Sequence, residues 1–506
     1  MSDPHGTQSV SRRWPAIALG PVLFLLVEFF FHPSLSLTPE LQAANPLASS
    51  QAVVHALAAT LWIAAWWFTE AIPIPATSLL PLVLFPLLGL GKAADVSRQY
   101  GHEIIFLFLG GLLLAAAMEK TRLHERVALT IIGIFGRGQR SLVLGFMVAT
   151  AIMSMWISNT ATTVMLLPVA LAVLATAGEE SGSGPSVDSK FSVALLLGVA
   201  FGANIGGLGT PIGSPPNIIF QNVYRQKTGL EVSFGEWMMY GVPLILVLLP
   251  ITWLFLVRGL SNQTADGPVA EAKSGPLTKG QAWVFGVFMV TALLWISRGD
   301  FGPWEGWGSR LAAQGIHLKD STVAIVAAIV LFVANSSKGR PILDWSVALK
   351  LPWGVLLLMG AGFAISSAFD ASGLTLWIGS QIEGFGNLGW SEFLLLLTLL
   401  SVVVFASILI TEFASNTASA NILLPIIFGV SAALGTDRFP PDLLMISCAL
   451  ACTTGFAMPA GTPPNALVFS TERISIRQFV RAGLVVDLFS LVAIVAMMIC
   501  WWAVRR

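Results

Sequence analysis

Ser-Asn-Thr occurs twice in the chain, at Ser158-Asn159-Thr160 and at Ser415-Asn416-Thr417, each time inside an apolar stretch. Each copy is followed by a Pro-Pro-Asn segment. The first is Gly213-Ser214-Pro215-Pro216-Asn217, and the second is Gly461-Thr462-Pro463-Pro464-Asn465. Asn217 lies 58 positions after Asn159, and Asn465 lies 49 after Asn416. Ser, Thr and Asn offer side-chain oxygens, and an unwound segment frees backbone carbonyls. Hard cations prefer such oxygen ligands. A half-helix C-terminus adds partial negative charge, while a half-helix N-terminus presents unpaired N–H groups to anions. One triplet with one Pro-Pro-Asn segment can therefore supply a sodium cage and half an anion site. Two such pairs supply two cages and a whole site between them.

No Lys or Arg lies within either motif. An anion held there must rely on amides, hydroxyls, helix dipoles of about half a charge each and any bound cations. Each ligand then raises the affinity of the other by the same factor, which is the thermodynamic root of symport. Polar, helix-breaking residues at matched places of two hydrophobic halves point to the binding site of a transporter.

Elements able to hold such motifs must sit in lipid. Hydrophobic residues make up 55% of the chain and charged residues 11%, against about a quarter charged in a water-soluble domain. Apolar runs near the roughly 20-residue spanning length recur, among them 16–31, 242–257, 394–410 and 484–504. The alternating strands of about 10 residues that make a membrane β-barrel are absent. An all-α polytopic membrane protein is expected, with the lipid bilayer as its surroundings. The net charge of zero gives no footprint for a nucleic-acid partner. Arg12 and Arg13 precede the first run and the loop 32–51 contains no Lys or Arg, so residues 1–15 read as a cytoplasmic N-terminal tail before an uncleaved span. The three cysteines form no disulfide or zinc pattern, and Cys448 and Cys452 read as packing residues.

A polar interval at 259–280 reads as a linker between a first membrane half, 16–258, and a second, 281–506. Each triplet sits near the middle of its apolar run, so either a continuous helix tolerates it or it forms the tip of a re-entrant hairpin. Hairpins at about 141–177 and about 392–434 are the favoured reading, since irregular backbone at membrane depth survives only inside protein or beside a cavity. The Pro-Pro-Asn segments read as breaks in helices at about 192–225 and about 442–470, because prolines remove donors and Gly209, Gly213 and Gly461 permit unusual backbone. Ser154 and Thr411 each lie one helical turn ahead of their triplet. The repeat is a duplicated membrane unit, inverted if each copy has an odd number of spans.

Glu70 and Glu412 lie in apolar stretches, where a carboxylate is a functional candidate. A structural hydrogen bond to a broken helix is the favoured reading over proton coupling. Asp370 and Glu119 are expected to face water, and Asp487 is a weaker case. His102-Glu103 lacks the second His of a zincin, since Phe106 stands there. Gly110-Gly111 and Gly360–Gly362 read as sites of close helix approach. No nucleophile–base pair or metal cluster appears, so an enzyme is not expected.

The segments Trp66-Trp67-Phe68-Thr69-Glu70-Ala71-Ile72-Pro73, Trp156-Ile157-Ser158-Asn159-Thr160-Ala161-Thr162, Thr411-Glu412-Phe413-Ala414-Ser415-Asn416-Thr417 and Gly461-Thr462-Pro463-Pro464-Asn465-Ala466 resemble the divalent anion/sodium symporter family, the INDY-type dicarboxylate and citrate carriers. The resemblance runs from about residue 50 to the end. It implies two inverted repeats, each with a re-entrant hairpin and a broken helix, in a homodimer whose protomers divide into a scaffold and a transport domain that moves as an elevator. It implies a first sodium site at Ser154, Ser158, Asn159 and backbone near Gly213, although Gly206 and Gly207 also precede the first Pro-Pro-Asn. The second would use Thr411, the Ala414 carbonyl, Asn416 and backbone near Gly461. Substrate carboxylates would meet Asn159, Thr160 and Ser214 on one side and Asn416, Thr417 and Thr462 on the other, with Pro215 and Pro463 lining the pocket. The expected function is sodium-coupled symport of C4-dicarboxylates such as succinate or malate, with sodium as coupling ion, no other cofactor, and a bacterial inner-membrane location. A sodium-independent anion exchanger of the same architecture is the alternative, and a membrane-embedded enzyme the rival from another class.

Overall fold

A computed structural model describes residues 14–31, 47–136, 138–180, 190–260, 275–300, 304–336, 339–382 and 389–505. The expected cytoplasmic tail up to residue 13 and most of the polar linker, 261–274, lie outside the described residues. The longer helices are α1 (Trp14–Phe30), α2 (Ser50–Thr69), α3 (Glu103–Lys120), α4 (Leu123–Ile134), α5 (Gln139–Ser154), α6 (Asn159–Glu180), α7 (Lys190–Gly206), α8 (Pro215–Thr228) and α9 (Phe234–Leu256). They continue as α10 (Lys279–Ile296), α11 (Asp320–Val333), α12 (Trp353–Ser372), α13 (Glu392–Phe413), α14 (Asn416–Leu434), α15 (Pro441–Thr453), the seven-residue α16 (Pro463–Phe469) and α17 (Ile476–Arg505). Eight helices among the described residues are long and apolar enough to cross a membrane. No strand forms among the described residues.

Helix limits follow local chemistry. The Ser233 hydroxyl accepts from Glu236 N at 3.2 Å while Glu236 Oε2 accepts from Ser233 N at 2.6 Å, a capping box that opens α9. Thr278 and Gln281 do the same for α10. The two proline pairs stand at the first positions of α8 and α16, where a helix has no use for their missing N–H groups. They therefore start half-helices rather than interrupt whole ones.

Packing repeats between the halves. α5 lies along α7, and α13 lies along α15. Across the halves the contacts are reciprocal: α6 and α7 meet α16, while α14 and α15 meet α8. One large apolar core runs through these helices, and a smaller one joins α2, the short helix Pro81–Leu87 and α12 through Ile63, Trp67, Phe85 and Phe369. The glycine pairs act as the sequence suggests. A Cβ at Gly110 would stand 2.5 Å from Ala324 Cβ on α11, and one at Gly360 would stand 2.5 Å from Tyr100 Cδ1.

The end of α8 is tied to surrounding helices by polar pairs. Arg225 pairs with Glu103, Gln226 Nε2 donates to Gln99 Oε1 at 2.9 Å, and Lys227, whose side chain is buried, pairs with Asp370. Asp370 is thus not simply a water-facing helix end. Beyond α8, Arg298 binds Asp320 through Nε at 2.5 Å and Nη2 at 3.1 Å, and reaches Glu231 Oε1 at 2.8 Å. Lys319 also pairs with Glu231. Burial pushes the Glu231 carboxyl up, but the hydrogen bond from Lys319 and the Arg298 and Lys319 charges outweigh it and hold it below the usual carboxylate range. A depressed folded-state value contributes stability above the ordinary carboxylate pKa and loses it as pH falls through the folded value. Acid melting followed from neutral pH down through the carboxylate range should therefore be less steep in Glu231→Gln than in the parent protein. The variant starts from a lower stability at neutral pH.

Candidate functional site

Both apolar runs that carry a triplet are broken there. α5 ends at Ser154 and α6 starts at Asn159; α13 ends at Phe413 and α14 starts at Asn416. The two arms of each pair touch, and a continuous helix does not form. Each triplet thus lies where the last carbonyls of one helix and the first N–H groups of the next lack the regular partners of a helix interior. Ser154 Oγ donates to Asn159 Oδ1 at 2.6 Å. In the second half Thr411 Oγ1 lies 2.7 Å from Asn416 Oδ1 and 2.7 Å from Cys452 O. Three oxygens there share a single hydroxyl proton, an excess of acceptors that suits a bare cation.

The segments between α7 and α8 and between α15 and α16 are unwound and pinned in the same way. Asn217 Nδ2 donates to Gly207 O and to Thr210 O, both at 2.8 Å. Asn465 Nδ2 donates to Gly455 O and to Met458 O, both at 3.1 Å. The third residue of each Pro-Pro-Asn is therefore a staple reaching back 10 and 7 positions. Gly207 lies against Asn159, since a Cβ there would stand 2.6 Å from Asn159 Oδ1. Gly455 lies against Thr411 in the same manner, with a Cβ 3.1 Å from Thr411 Cγ2. The first triplet, and in the second half the Thr411 that bonds Asn416, is thereby seated on the unwound loop of its own half.

The halves are then bonded to each other. Asn204 Nδ2, on α7, donates to Thr462 Oγ1 at 2.9 Å and Asn465 Oδ1 at 3.1 Å. Thr453 Oγ1, on α15, lies 3.3 Å from Ser214 Oγ. The two hydroxyls that precede the proline pairs are thus each held by the opposite half. Asn204 Oδ1 and Asn217 Oδ1 are buried and find no hydrogen-bond partner among the described residues, which leaves them acceptors for water or an ion.

The residues singled out from sequence fall into three groups. Ser154, Asn159, Thr411, Asn416, Ser214 and Thr462 join the linked constellation. Gly213 and Gly461 stand one step back: Gly213 abuts the carbonyl of Gly207, and Gly461 abuts the carboxyl of Glu412. Ala414 and Thr417 are buried and Ser158 and Pro215 half-buried, while Thr160 and Pro463 are exposed. Ser158 Oγ accepts from Ala161 N at 3.3 Å, capping the start of α6. Of the carboxylates, Glu70 is exposed at the left-handed end of α2 and takes no part. His102 Nδ1 accepts from Ile104 N, which makes it the cap of α3. Sequence reasoning misses Asn204 and Thr453, which have no motif around them. Asn217 and Asn465 carry a signal by standing at matched places after proline pairs, and Gly207 is one of the glycines that the sequence leaves open beside Gly213.

Residues 38–505 match the family model described as the sodium:sulfate symporter transmembrane region. The chain belongs to this family. Sodium:sulfate symporter family members are membrane transporters, so the enzyme rival falls away, and this chain is an integral membrane protein. Among curated relatives, the sodium-dependent dicarboxylate transporter SdcS of Staphylococcus aureus strain USA300 is 41% identical over 494 residues, covering 95% of this chain and 89% of SdcS. SdcS of the bovine strain RF122 / ET3-1 matches equally, at 41% over 494 residues. Two solved transporters share the fold at low identity. YdaH of Alcanivorax borkumensis has a TM-score of 0.57 at 15% identity, covering 88% of this chain and 98% of its own. MtrF of Neisseria gonorrhoeae has a TM-score of 0.56 at 12% identity, covering 98% and 96%.

Proposed function

We propose that this symporter-family protein couples inward sodium movement to uptake of C4-dicarboxylates such as succinate or malate. The observation that carries the reading is the doubled acceptor cluster, Ser154 with Asn159 and Thr411 with Asn416, each seated on a stapled unwound loop whose neighbouring hydroxyl is held by the other half. The first sodium site is formed by Ser154, Ser158, Asn159 and carbonyls of the 207–213 loop. The second is formed by Thr411, Asn416, the Ala414 carbonyl and carbonyls of the 454–461 loop. Asn159, Thr160, Ser214 and Pro215 meet one substrate carboxylate, and Asn416, Thr417, Thr462 and Pro463 meet the other. A substrate with a carboxylate at each end fits a site built from two like halves. With no Lys or Arg in either motif, sodium ions supply the positive charge, so substrate binds well only after them. The sodium dependence and dicarboxylate substrate of SdcS support this choice among divalent anions.

In this reading the halves are inverted repeats, the hairpins α5–α6 and α13–α14 are re-entrant, and they move with α7–α9 and α15–α17 as one transport domain against a scaffold within a homodimer. The N-terminal tail, with Arg12 and Arg13, lies in the cytoplasm of a bacterial inner membrane. Labelled succinate uptake into proteoliposomes tests the coupling. Uptake should rise steeply with an inward sodium gradient, fall when choline replaces sodium, and yield to competing malate. Uptake that ignores sodium but requires internal dicarboxylate would replace symport by exchange.

A further inference from the structure

The two unwound loops are built alike except for what backs them. In the second half, Glu412 Oε1 accepts from Ala457 N at 2.7 Å and Oε2 from Met458 N at 2.6 Å. Asp487 Oδ1, from α17, accepts from Phe456 N at 3.0 Å. Both carboxyls are buried, at 5% and 7% exposed, and each lies close enough to influence the other. Three consecutive amides of the loop thus point at acidic side chains. In the first half the corresponding backing is apolar. A Cβ at Gly209 would meet Met155 Cγ at 2.9 Å and Ile245 Cδ1 at 2.7 Å.

The correspondence is fixed by structure. Gly241 on α9 packs on Leu208 and Gly209, and Gly483 on α17 packs on Phe456 and Ala457. Ile245 and Asp487 each follow their glycine by four positions. Met155 and Glu412 each follow the triplet-facing hydroxyl residue, Ser154 or Thr411, by one. Where the first loop rests on Met155 and Ile245, the second rests on Glu412 and Asp487. The first loop instead satisfies Leu208 N and Gly209 N by turning back to Ile205 O and Gly206 O, at 3.2 and 3.0 Å.

We propose that Glu412, held in place by Asp487 on α17, makes the two sodium sites unequal by raising the sodium affinity of the second. The inference rests on the sodium-coupled reading above. Two effects act in the same direction. Both Glu412 oxygens accept amide protons, which is the bonding pattern of a carboxylate, and its charge stands beside Thr411 and Gly461. Amides bonded to a carboxylate are also polarised, so the carbonyl oxygens on their far sides gain negative charge. The carbonyls of the two amides that Glu412 holds belong to Phe456 and Ala457, in the loop that closes the second site. Glu412 is a positioning residue that works through the loop. Asp487 is the tether that would carry a movement of α17 to the sodium site.

Sodium activation of succinate uptake, measured in proteoliposomes for the parent, Glu412→Gln, Glu412→Asp and Asp487→Asn, tests this. Glu412→Gln keeps the shape but loses the charge and one acceptor. It should raise the half-saturating sodium concentration at least about tenfold, a lower bound on what one unit charge a few ångströms away contributes in a medium of intermediate dielectric. The maximal rate at saturating sodium and succinate should be kept. Glu412→Asp should recover part of the sodium affinity, and Asp487→Asn should shift it in the same direction by less. Sodium-dependent thermal stabilisation of the purified variants, without substrate, should move in parallel and does not require transport. A sodium-dependent parent whose half-saturating concentration is unchanged in Glu412→Gln overturns the inference and leaves symport standing. A drop in maximal rate alone, or Glu412→Asp as impaired as Glu412→Gln, also overturns it. A parent that takes up succinate without sodium overturns both. Should Glu412→Gln fail to fold, the same readouts on Glu412→Asp and Asp487→Asn decide, and unchanged sodium affinity in both counts against the proposal.

Discussion

Asn159→Ala and Asn416→Ala, each alone, should reduce the proposed sodium-driven succinate uptake by roughly 100-fold while leaving a monodisperse, folded protein. Each side chain accepts one hydroxyl hydrogen bond, from Ser154 at 2.6 Å or beside Thr411 at 2.7 Å. Each is only half-buried. The structural loss is therefore one ordinary hydrogen bond, about 1 kcal/mol, with solvent able to reach the freed hydroxyl. The functional loss is larger. An oxygen bonded to an ion is worth about 1.5–3 kcal/mol, which is roughly 10- to 100-fold in affinity. In the symport proposed above, sodium and substrate raise each other's affinity by a shared factor, so the deficit at one ligand is felt by the other. The measurement is initial uptake rate at fixed sodium together with the melting temperature in detergent. Loss of transport accompanied by an equal loss of melting temperature would make the two asparagines structural. Full uptake in both variants would remove them from the site.

Much of this arrangement could be read from the chain because the determinants are local. A polar triplet in the middle of an apolar run has nowhere to hide its groups in lipid unless the helix stops, and α5 and α13 do stop there. Proline pairs can only begin a helix, so the half-helix starts at Pro215 and Pro463 follow from covalent geometry. What the sequence could not convey were bonds between distant segments. Asn204 lies in an apolar helix with no motif around it, and its bonds to Thr462 and Asn465 span more than half the chain. Asp487 looks like an isolated acid near the start of the last span, and only the placement of α17 against the Phe456 amide gives it a partner. Glu70 and Glu412 look alike in sequence, each directly after a threonine and within two residues of a phenylalanine. Yet the left-handed turn after α2 sends Glu70 outward, while Glu412 stays helical and is drawn under a loop 45 residues later in the chain. Even the glycine beside Asn159 was ambiguous among several candidates, because close approach of backbone and side chain depends on how the loop folds back rather than on spacing.

Replacing either stapling asparagine, Asn217→Ala or Asn465→Ala, should cost more stability than any change at the triplets. Both side chains are fully buried, and each amide uses its two protons on two carbonyls of the unwound loop. Alanine removes both bonds and strands Gly207 O or Gly455 O where water does not reach, while Thr210 O and Met458 O keep the backbone N–H of Gly213 and Gly461. One unsatisfied buried carbonyl costs about 1–3 kcal/mol and one further lost hydrogen bond about 1 kcal/mol, so the sum is roughly 2–4 kcal/mol, a large part of the 5–15 kcal/mol or so that holds a typical domain together. Asn465 also accepts from Asn204, so Asn465→Ala breaks a link between the halves and should be the worse of the two. Asn217→Asp and Asn465→Asp separate donation from packing. They keep the size but lose the protons that the carbonyls require, and they place a charge against those carbonyls, so they should be no better than alanine. In purified protein all four variants should melt well below the parent, and sodium should stabilise them less, because the carbonyls of a loosened loop no longer converge on the ion. If the aspartate forms melt like the parent while the alanine forms do not, the asparagines serve as fillers of volume. The loops would then owe their shape to the prolines and glycines alone.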